Sequence, residues 1–160
     1  MLCASAFTAG DYAKFGLFRG RCYQWGYFPE TIRYANIDEL IGCKEKTTIL
    51  WCGRFLDWKH PDDVLEAARR LRDAGYSFRF KLIGTGEMEQ PLKLLASEAG
   101  LLDKNVCFLG TMSPENVRRH MENAGIYLFT SDRREGWGAV LNEAMNSGCA
   151  VIASDAAGAT

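Results

Sequence analysis

The chain has 160 residues, 48% hydrophobic and 24% charged, which suits one folded domain with a real core. Lysine and arginine total 19 against 20 acidic residues, and a net charge of −1 excludes a nucleic-acid binder that works by bulk electrostatics. Nowhere do about 18 apolar residues run together, so no segment reads as a membrane span, and the opening MLCASAFTAGDYAKFG lacks the cationic start and apolar stretch of a signal peptide.

Residues 1–46 show no regular rhythm. RCYQWGYFPE is aromatic and turn-like, and TIRYANIDELIGCKEK is mixed and polar, so this segment is expected to be a linker or the tail of something upstream. From residue 47 to 160 the pattern is regular. Apolar, β-prone runs occur at TILWCG (48–53), FRFKLIG (78–84), NVCFLG (105–110), IYLFTS (126–131) and AVIASD (150–155). Helical spacing fills the gaps. In PDDVLEAARRLRDAG, Val64, Leu65, Ala68 and Leu71 share a face, with Pro61 and two aspartates at the start and Gly75 at the end. In PLKLLASEAG, Leu92, Leu95 and Ala99 share a face between Pro91 and Gly100. In SPENVRRHMENAG, Ser113 suits an N-cap, Pro114 the first helical position, and Val117, Met121 and Ala124 point one way. A fourth helix is expected after Gly138, stopping near Gly148.

Strands alternating with helices at this spacing predict βαβ units and a parallel sheet covered on both faces. The fold class is α/β, an open, Rossmann-like, doubly wound domain with at least five strands. The chain ends at SDAAGAT just past a strand, so a last helix and strand are expected to be missing. Cys3, Cys22, Cys43, Cys52, Cys107 and Cys149 form no C-x-x-C pair, and His60 and His120 lie far from any close cysteine pair. Reduced core thiols in a cytoplasmic protein are therefore expected, rather than a zinc site.

Ligands of open parallel sheets bind at the carboxyl ends of the strands. The turn GTGEME carries Gly84 and Gly86 in G-x-G spacing, but Glu89 stands where a dinucleotide fingerprint needs its third glycine, and the turn follows the second strand. A nicotinamide or flavin enzyme is set aside, and the glycines are read as a sharp turn lying close to a ligand or another loop. Arg54 and Lys59, in GRFLDWKHP after the first strand, are either solvated cations or an anion clamp at the crevice mouth, and no P-loop is present.

REGWGAVLNEAM carries the most chemistry. Gly136 and Gly138 let a ligand approach the main chain, and the amides of Ala139, Val140 and Leu141 are expected to lie unpaired at a helix start, where phosphate is favoured. Glu143, one turn further on, suits the paired hydroxyls of a ribose, and Glu135 suits a second polyol. The arrangement reads as a phosphate between two hydroxylated rings, the layout of a nucleotide sugar. The plain alternative makes both glutamates surface charges.

EGWGAVLNE, with seven residues between Glu135 and Glu143, resembles the E-x7-E motif of retaining GT-B glycosyltransferases, in the GT4-like form of the glycosyl transferases group 1. The pieces GRFLDWK, IGTGEMEQPLKLLASEAGL, NVCFLGTMSPENV and GCAVIASDAAG resemble further family segments in matching order, over roughly residues 47–160. WGYFPE resembles the interdomain segment of members that build cell-surface polysaccharides. The resemblance implies a C-terminal donor-binding domain, with residues 1–46 as interdomain linker and the acceptor-binding N-terminal domain outside the chain. It implies that Arg54 and Lys59 neutralise the donor diphosphate, while Glu135 and the backbone of Gly136–Gly138 hold the donor sugar. The amides near Val140 and Leu141 would face the distal phosphate and Glu143 would take the ribose. Gly110, Thr111 and Met112 would lie against the base.

Gly53 and the Gly84 and Gly86 turn belong to the same matched segments, as do Trp137 and Ala139. Trp137 replaces the commoner Phe or aliphatic residue, and Asn142 and Asn146 stand where leucine and alanine or cysteine are usual. The substrate is expected to be a UDP-, GDP- or ADP-sugar, without a cofactor or metal. A sugar or lipid-linked acceptor would come through the N-terminal domain. The setting would be cytoplasmic, with the full-length enzyme associated peripherally with the inner face of the membrane. The alternative of another class is a non-catalytic Rossmann-like nucleotide-binding or assembly module. An epimerase or phosphorylase of this architecture lacks its own signature here.

Overall fold

The computed structural model of the chain describes residues 1–159. Strands β1 (Leu2–Cys3) and β2 (Tyr23–Gln24) flank helix α1 (Thr8–Lys14) and pair in parallel, so a small βαβ unit lies within the irregular N-terminal segment. Helix α2 (Ile37–Gly42) follows, with Asn36 accepting from the Glu39 amide as its N-cap.

The rest alternates as the sequence predicts. In chain order come β3 (Glu45–Cys52), α3 (Asp62–Asp73), β4 (Arg79–Ile83), α4 (Glu89–Glu98), β5 (Val106–Phe108), α5 (Pro114–Asn123), β6 (Ala124–Phe129), α6 (Ala139–Asn146) and β7 (Ala150–Ala153). All five strands of this sheet run parallel in the order β5-β4-β3-β6-β7. From β3 the chain moves outward to β5, then returns across the sheet to β6. The direction of winding reverses there, so β3 and β6 flank a topological switch point.

The central strand shows why both faces are covered. Ile49 and Trp51 point into a core with Val64, Leu65 and Ala68 of α3 and Leu92 and Ala96 of α4. Leu50 points the other way, into a core with Met121 of α5, Tyr127 and Phe129 of β6, and Leu141 and Ala144 of α6. Alternation along one strand thus feeds two apolar layers.

Two local expectations are corrected. Helix α4 starts at Glu89, two residues before Pro91, because the amide that proline lacks would be unpaired in a first turn anyway. Its buried row is Leu92 and Ala96, while Leu95 lies 51% exposed at the edge of the stripe. Helix α5 starts as expected, with Ser113 accepting from the Asn116 amide at 3.4 Å and Pro114 in the first turn. It runs directly into β6, and its carbonyl end is closed by a buried lysine. Lys44 Nζ donates to the carbonyls of Met121 (2.9 Å), Glu122 (2.9 Å) and Ala124 (3.0 Å), which supplies positive charge where a helix end favours it.

Candidate functional site at the switch point

At the carboxyl end of β3 the loop of Gly53 to Phe55 lies flat against the turn after β4. The Gly53 amide donates to the Ile83 carbonyl at 3.0 Å, and the Phe55 amide to the Thr85 carbonyl at 2.9 Å. A Cβ on Gly84, whose φ is +135°, would stand 1.9 Å from the Gly53 carbonyl oxygen, and one on Gly86 would stand 2.5 Å from the Phe55 carbonyl oxygen. The two glycines of GTGEME are therefore required by protein backbone pressed against protein backbone. The turn in turn binds the next loop, since the Gly84 amide donates to the Gly110 carbonyl at 2.8 Å. Gly110 takes a φ of +69°, Thr111 is exposed, and Met112 packs on the core around Leu50 and Tyr127.

Polar contacts join the loops that follow β3 and β6. A short helical turn, Asp57–Lys59, presents the Trp58 carbonyl to the Asp132 amide at 2.8 Å. Arg134 bonds Asp132 at 2.7 Å and Asp57 at 2.9 Å, and its guanidinium lies 5.5 Å from the centre of the Trp58 ring. Hydrogen bonds from the Arg134 side chain, then from its amide, hold the Asp132 carboxyl well below the usual carboxylate range. His60 Nε2 stands 3.3 Å from the same carboxylate. None of these five residues was given a site role from the sequence, because loop ion pairs carry no periodicity.

Two of the predicted functional groups meet on this support. Lys59 Nζ forms an ion pair with Glu135 Oε2, each side chain only 18% exposed. Ser131 Oγ donates to the same carboxylate at 3.2 Å. Arg54 lies on the same β3 loop, exposed, and its guanidinium has no hydrogen-bond partner among the described residues.

Helix α6 opens at Gly138, which takes the left-handed conformation at φ +87°. The Ala139 and Val140 amides have no hydrogen-bond partner among the described residues. The Leu141 amide differs from expectation: it donates to the Gly138 carbonyl at 2.9 Å, because the helix begins with a tight turn. Two donors rather than three face the site. Gly136 is exposed and its missing Cβ would meet nothing within 4 Å. Trp137 is half-buried, and its indole N–H donates to Asn142 Oδ1 at 2.8 Å. Glu143 is half-buried, and its carboxylate has no hydrogen-bond or ion-pair partner among the described residues. It lines a cavity of about 380 Å³ with Glu30, Pro114 and Arg118. Burial, and secondly the charge of Glu143, push the nearby Cys52 thiol up to about 11. Asn146 bonds the backbone of Ile32 in both directions, at 2.9 and 3.0 Å, and so fastens the N-terminal segment over this cavity.

A parallel sheet wound in both directions, with cations, a helix start and two carboxylates at its switch point, defines a Rossmann-like domain of the GT-B type. The chain belongs to the glycosyl transferases group 1 family, which matches residues 36–160. It is 31% identical over 138 residues to the amylovoran biosynthesis glycosyltransferase AmsK of Erwinia amylovora, a match covering 83% of this chain and 33% of that protein. It is 31% identical over 129 residues to the phosphatidyl-myo-inositol mannosyltransferase of Mycobacterium leprae, covering 76% of this chain and 33% of that protein. The chain thus spans about a third of the length of these relatives.

Among solved structures, the lipopolysaccharide outer core galactosyltransferase WaaB in its apo form is similar with a TM-score of 0.79 at 23% identity, covering 98% of this chain and 43% of that one. HepE of Anabaena in complex with UDP-glucose is similar with a TM-score of 0.74 at 20% identity, covering 99% and 45%. No helix among the described residues is long and apolar enough to cross a membrane.

Proposed function

We propose that this chain is the donor-binding half of a retaining, metal-independent glycosyltransferase that uses a nucleoside-diphosphate sugar in cell-surface polysaccharide or glycan synthesis. The observation that carries this reading is a set of unspent groups on the loop after β3 and on helix α6, which follows β6. The Arg54 guanidinium and the Glu143 carboxylate both lack partners among the described residues, and the free amides of Ala139 and Val140 open the helix that carries Glu143. A cation, two amides and a carboxylate match a diphosphate followed by a ribose.

In this reading Arg54 and Lys59 take up the charge that develops on the leaving diphosphate, which is work a divalent cation does elsewhere. Lys59 is held by Glu135 in the chain alone, so a diphosphate would share or displace that contact. Glu135 then becomes available to hydroxyls of the donor sugar. The amides of Ala139 and Val140 face the distal phosphate, Glu143 accepts from the ribose hydroxyls, and the Gly110–Met112 backbone borders the base. The acceptor, a sugar or a lipid-linked sugar, comes with the N-terminal half of a full-length enzyme at the cytoplasmic face of a membrane, and the leaving phosphate assists its deprotonation.

Titration calorimetry with UDP, GDP and ADP tests the proposal. Saturable binding of one of them is expected, abolished by Glu143→Ala and by Arg54→Ala in variants whose unfolding is unchanged. No transfer to an added acceptor is expected from the chain alone. Absence of binding to all three nucleotides, or binding indifferent to both substitutions, would favour the assembly-module reading.

A further inference from the structure

We propose that Cys3 and Cys22, brought side by side where β1 pairs with β2, form a site of reversible oxidation that closes to a disulfide and staples the N-terminal βαβ unit.

The two cysteines stand at opposite ends of the segment that holds α1, so nothing in their spacing joins them. The fold does. Leu2 pairs with Tyr23 and Cys3 with Gln24 in parallel register. Cys22 immediately precedes β2 and stands two residues before Gln24, so it projects to the same side as Cys3. The two thiols hydrogen-bond each other. Their other contacts are long: Cys3 Sγ reaches the Met1 carbonyl at 4.0 Å and Cys22 Sγ the Phe18 carbonyl at 3.8 Å. Neither sulfur is tied away from the other.

The thiols differ in access, which orders the chemistry. Cys3 is 2% exposed, whereas Cys22 is half-buried. Burial, and then the hydrogen bond with Cys22, push the Cys3 thiol up, so it is the poorer first nucleophile. The oxidant is a small soluble disulfide of the glutathione class. Cys22 loses its proton to solvent and its thiolate attacks one glutathione sulfur. The glutathione S–S bond breaks and one glutathione leaves as thiolate. Cys3, its proton also passing to solvent, then attacks the Cys22 sulfur and expels the second glutathione thiolate. Two protein thiols are oxidised to one disulfide while one glutathione disulfide is reduced to two thiols.

The unit so closed is lightly held. Its two-residue strands are joined by the Tyr23 amide on the Met1 carbonyl and the Trp25 amide on the Cys3 carbonyl, both at 2.9 Å. It rests on the loop that carries Glu135 and Gly136. Arg133 bonds Asp11 at 3.0 Å and lies 4.5 Å from the centre of the Phe7 ring, and the Ala6 amide donates to the Gly158 carbonyl at 3.0 Å. Gly158 is pressed in turn on the Gly136 carbonyl, where a Cβ would stand 2.1 Å from the oxygen. A disulfide keeps β1 beside β2 through openings that so few bonds permit. The proposal stands apart from the identity of any ligand at the switch point.

The test incubates the native chain with glutathione disulfide, quenches the remaining thiols in acid, and maps tryptic peptides without reduction. The expected product joins the peptide of residues 1–14 to that of residues 22–33, and dithiothreitol separates them. Cys3→Ser is expected to stop at a glutathione adduct on Cys22, and Cys22→Ser to leave the buried Cys3 largely unmodified. In the crosslinked chain, hydrogen exchange of the Trp25 amide, which requires the strands to part, is expected to slow about tenfold or more. The proposal is overturned if exposed Cys43 is fully converted to its glutathione adduct while no joined peptide appears, or if Cys3 is found joined to Cys43 as often as to Cys22. Trp25 exchange that the crosslink leaves unchanged would overturn the staple.

Discussion

Replacing Gly138 by alanine should damage fold and site together. The residue holds φ +87° and ψ 57° at the start of α6. Putting a side chain in the left-handed region costs about 1–2 kcal/mol. The new Cβ would also stand 2.3 Å from Phe129 Cζ and 3.1 Å from two further ring atoms. Phe129 is only 4% exposed and packs with Tyr127, Leu141 and Ala144, so the ring has no free direction to move. Overpacking of this kind adds about 1–3 kcal/mol. The sum, about 2–5 kcal/mol, is a large share of the roughly 5–15 kcal/mol that stabilises a typical domain. Urea unfolding followed by tryptophan fluorescence should show the midpoint fall without a change in slope. In the double variant with Phe129→Leu, the overpacking part should be recovered and the backbone part should remain. A Gly138→Ala protein within about 0.5 kcal/mol of the parent would refute the reasoning.

Lys59→Met and Glu135→Gln, taken singly and together, should give a coupling of about 1–3 kcal/mol, because the pair is largely buried; about 0.3 kcal/mol or less would reduce it to a surface ion pair. The Cys52 thiol, pushed up to about 11, should resist iodoacetamide in the native chain. Exposed Cys43 should react about two orders of magnitude faster at mildly alkaline pH, and peptide mapping showing equal rates would contradict this. His120 Nδ1 is buried without a partner among the described residues, and burial, then the Lys81 charge, lowers its proton affinity. The unfolded chain therefore takes the proton first, and stability should fall as pH drops below about 6.5 and level off once both states are protonated. His120→Leu should flatten that part of the urea midpoint-versus-pH curve, and an unchanged curve would exclude His120 as its source.

The alternation of strands and helices from residue 45 onward was legible because each element is long enough to repeat its period. The Ser113–Pro114 start of α5 and the Gly138 start of α6 were legible because caps use few residue types. The βαβ unit at the N-terminus was not, since its strands are two residues each and show no alternation. At the site, the sequence marked Arg54, Lys59, Glu135 and Glu143 because they follow strands or open a helix in the spacing that resembles the family motif. It did not show that Lys59 and Glu135 pair with each other, nor decide whether Gly84 and Gly86 lie against a ligand or another loop. Those facts depend on how close two loops come, which no local pattern encodes. Asn142 and Asn146 stood out in sequence only as departures, and their partners, Trp137 and the Ile32 backbone, are visible only in three dimensions.

The most direct test of the central claim is a crystal structure of the chain with the nucleoside diphosphate that titration selects. The account predicts phosphate oxygens within hydrogen-bond distance of Arg54, Lys59 and the Ala139 and Val140 amides, and ribose hydroxyls on the Glu143 carboxylate. A nucleotide bound away from the β3–β6 switch point, or one that leaves Glu143 and Arg54 untouched, would contradict it.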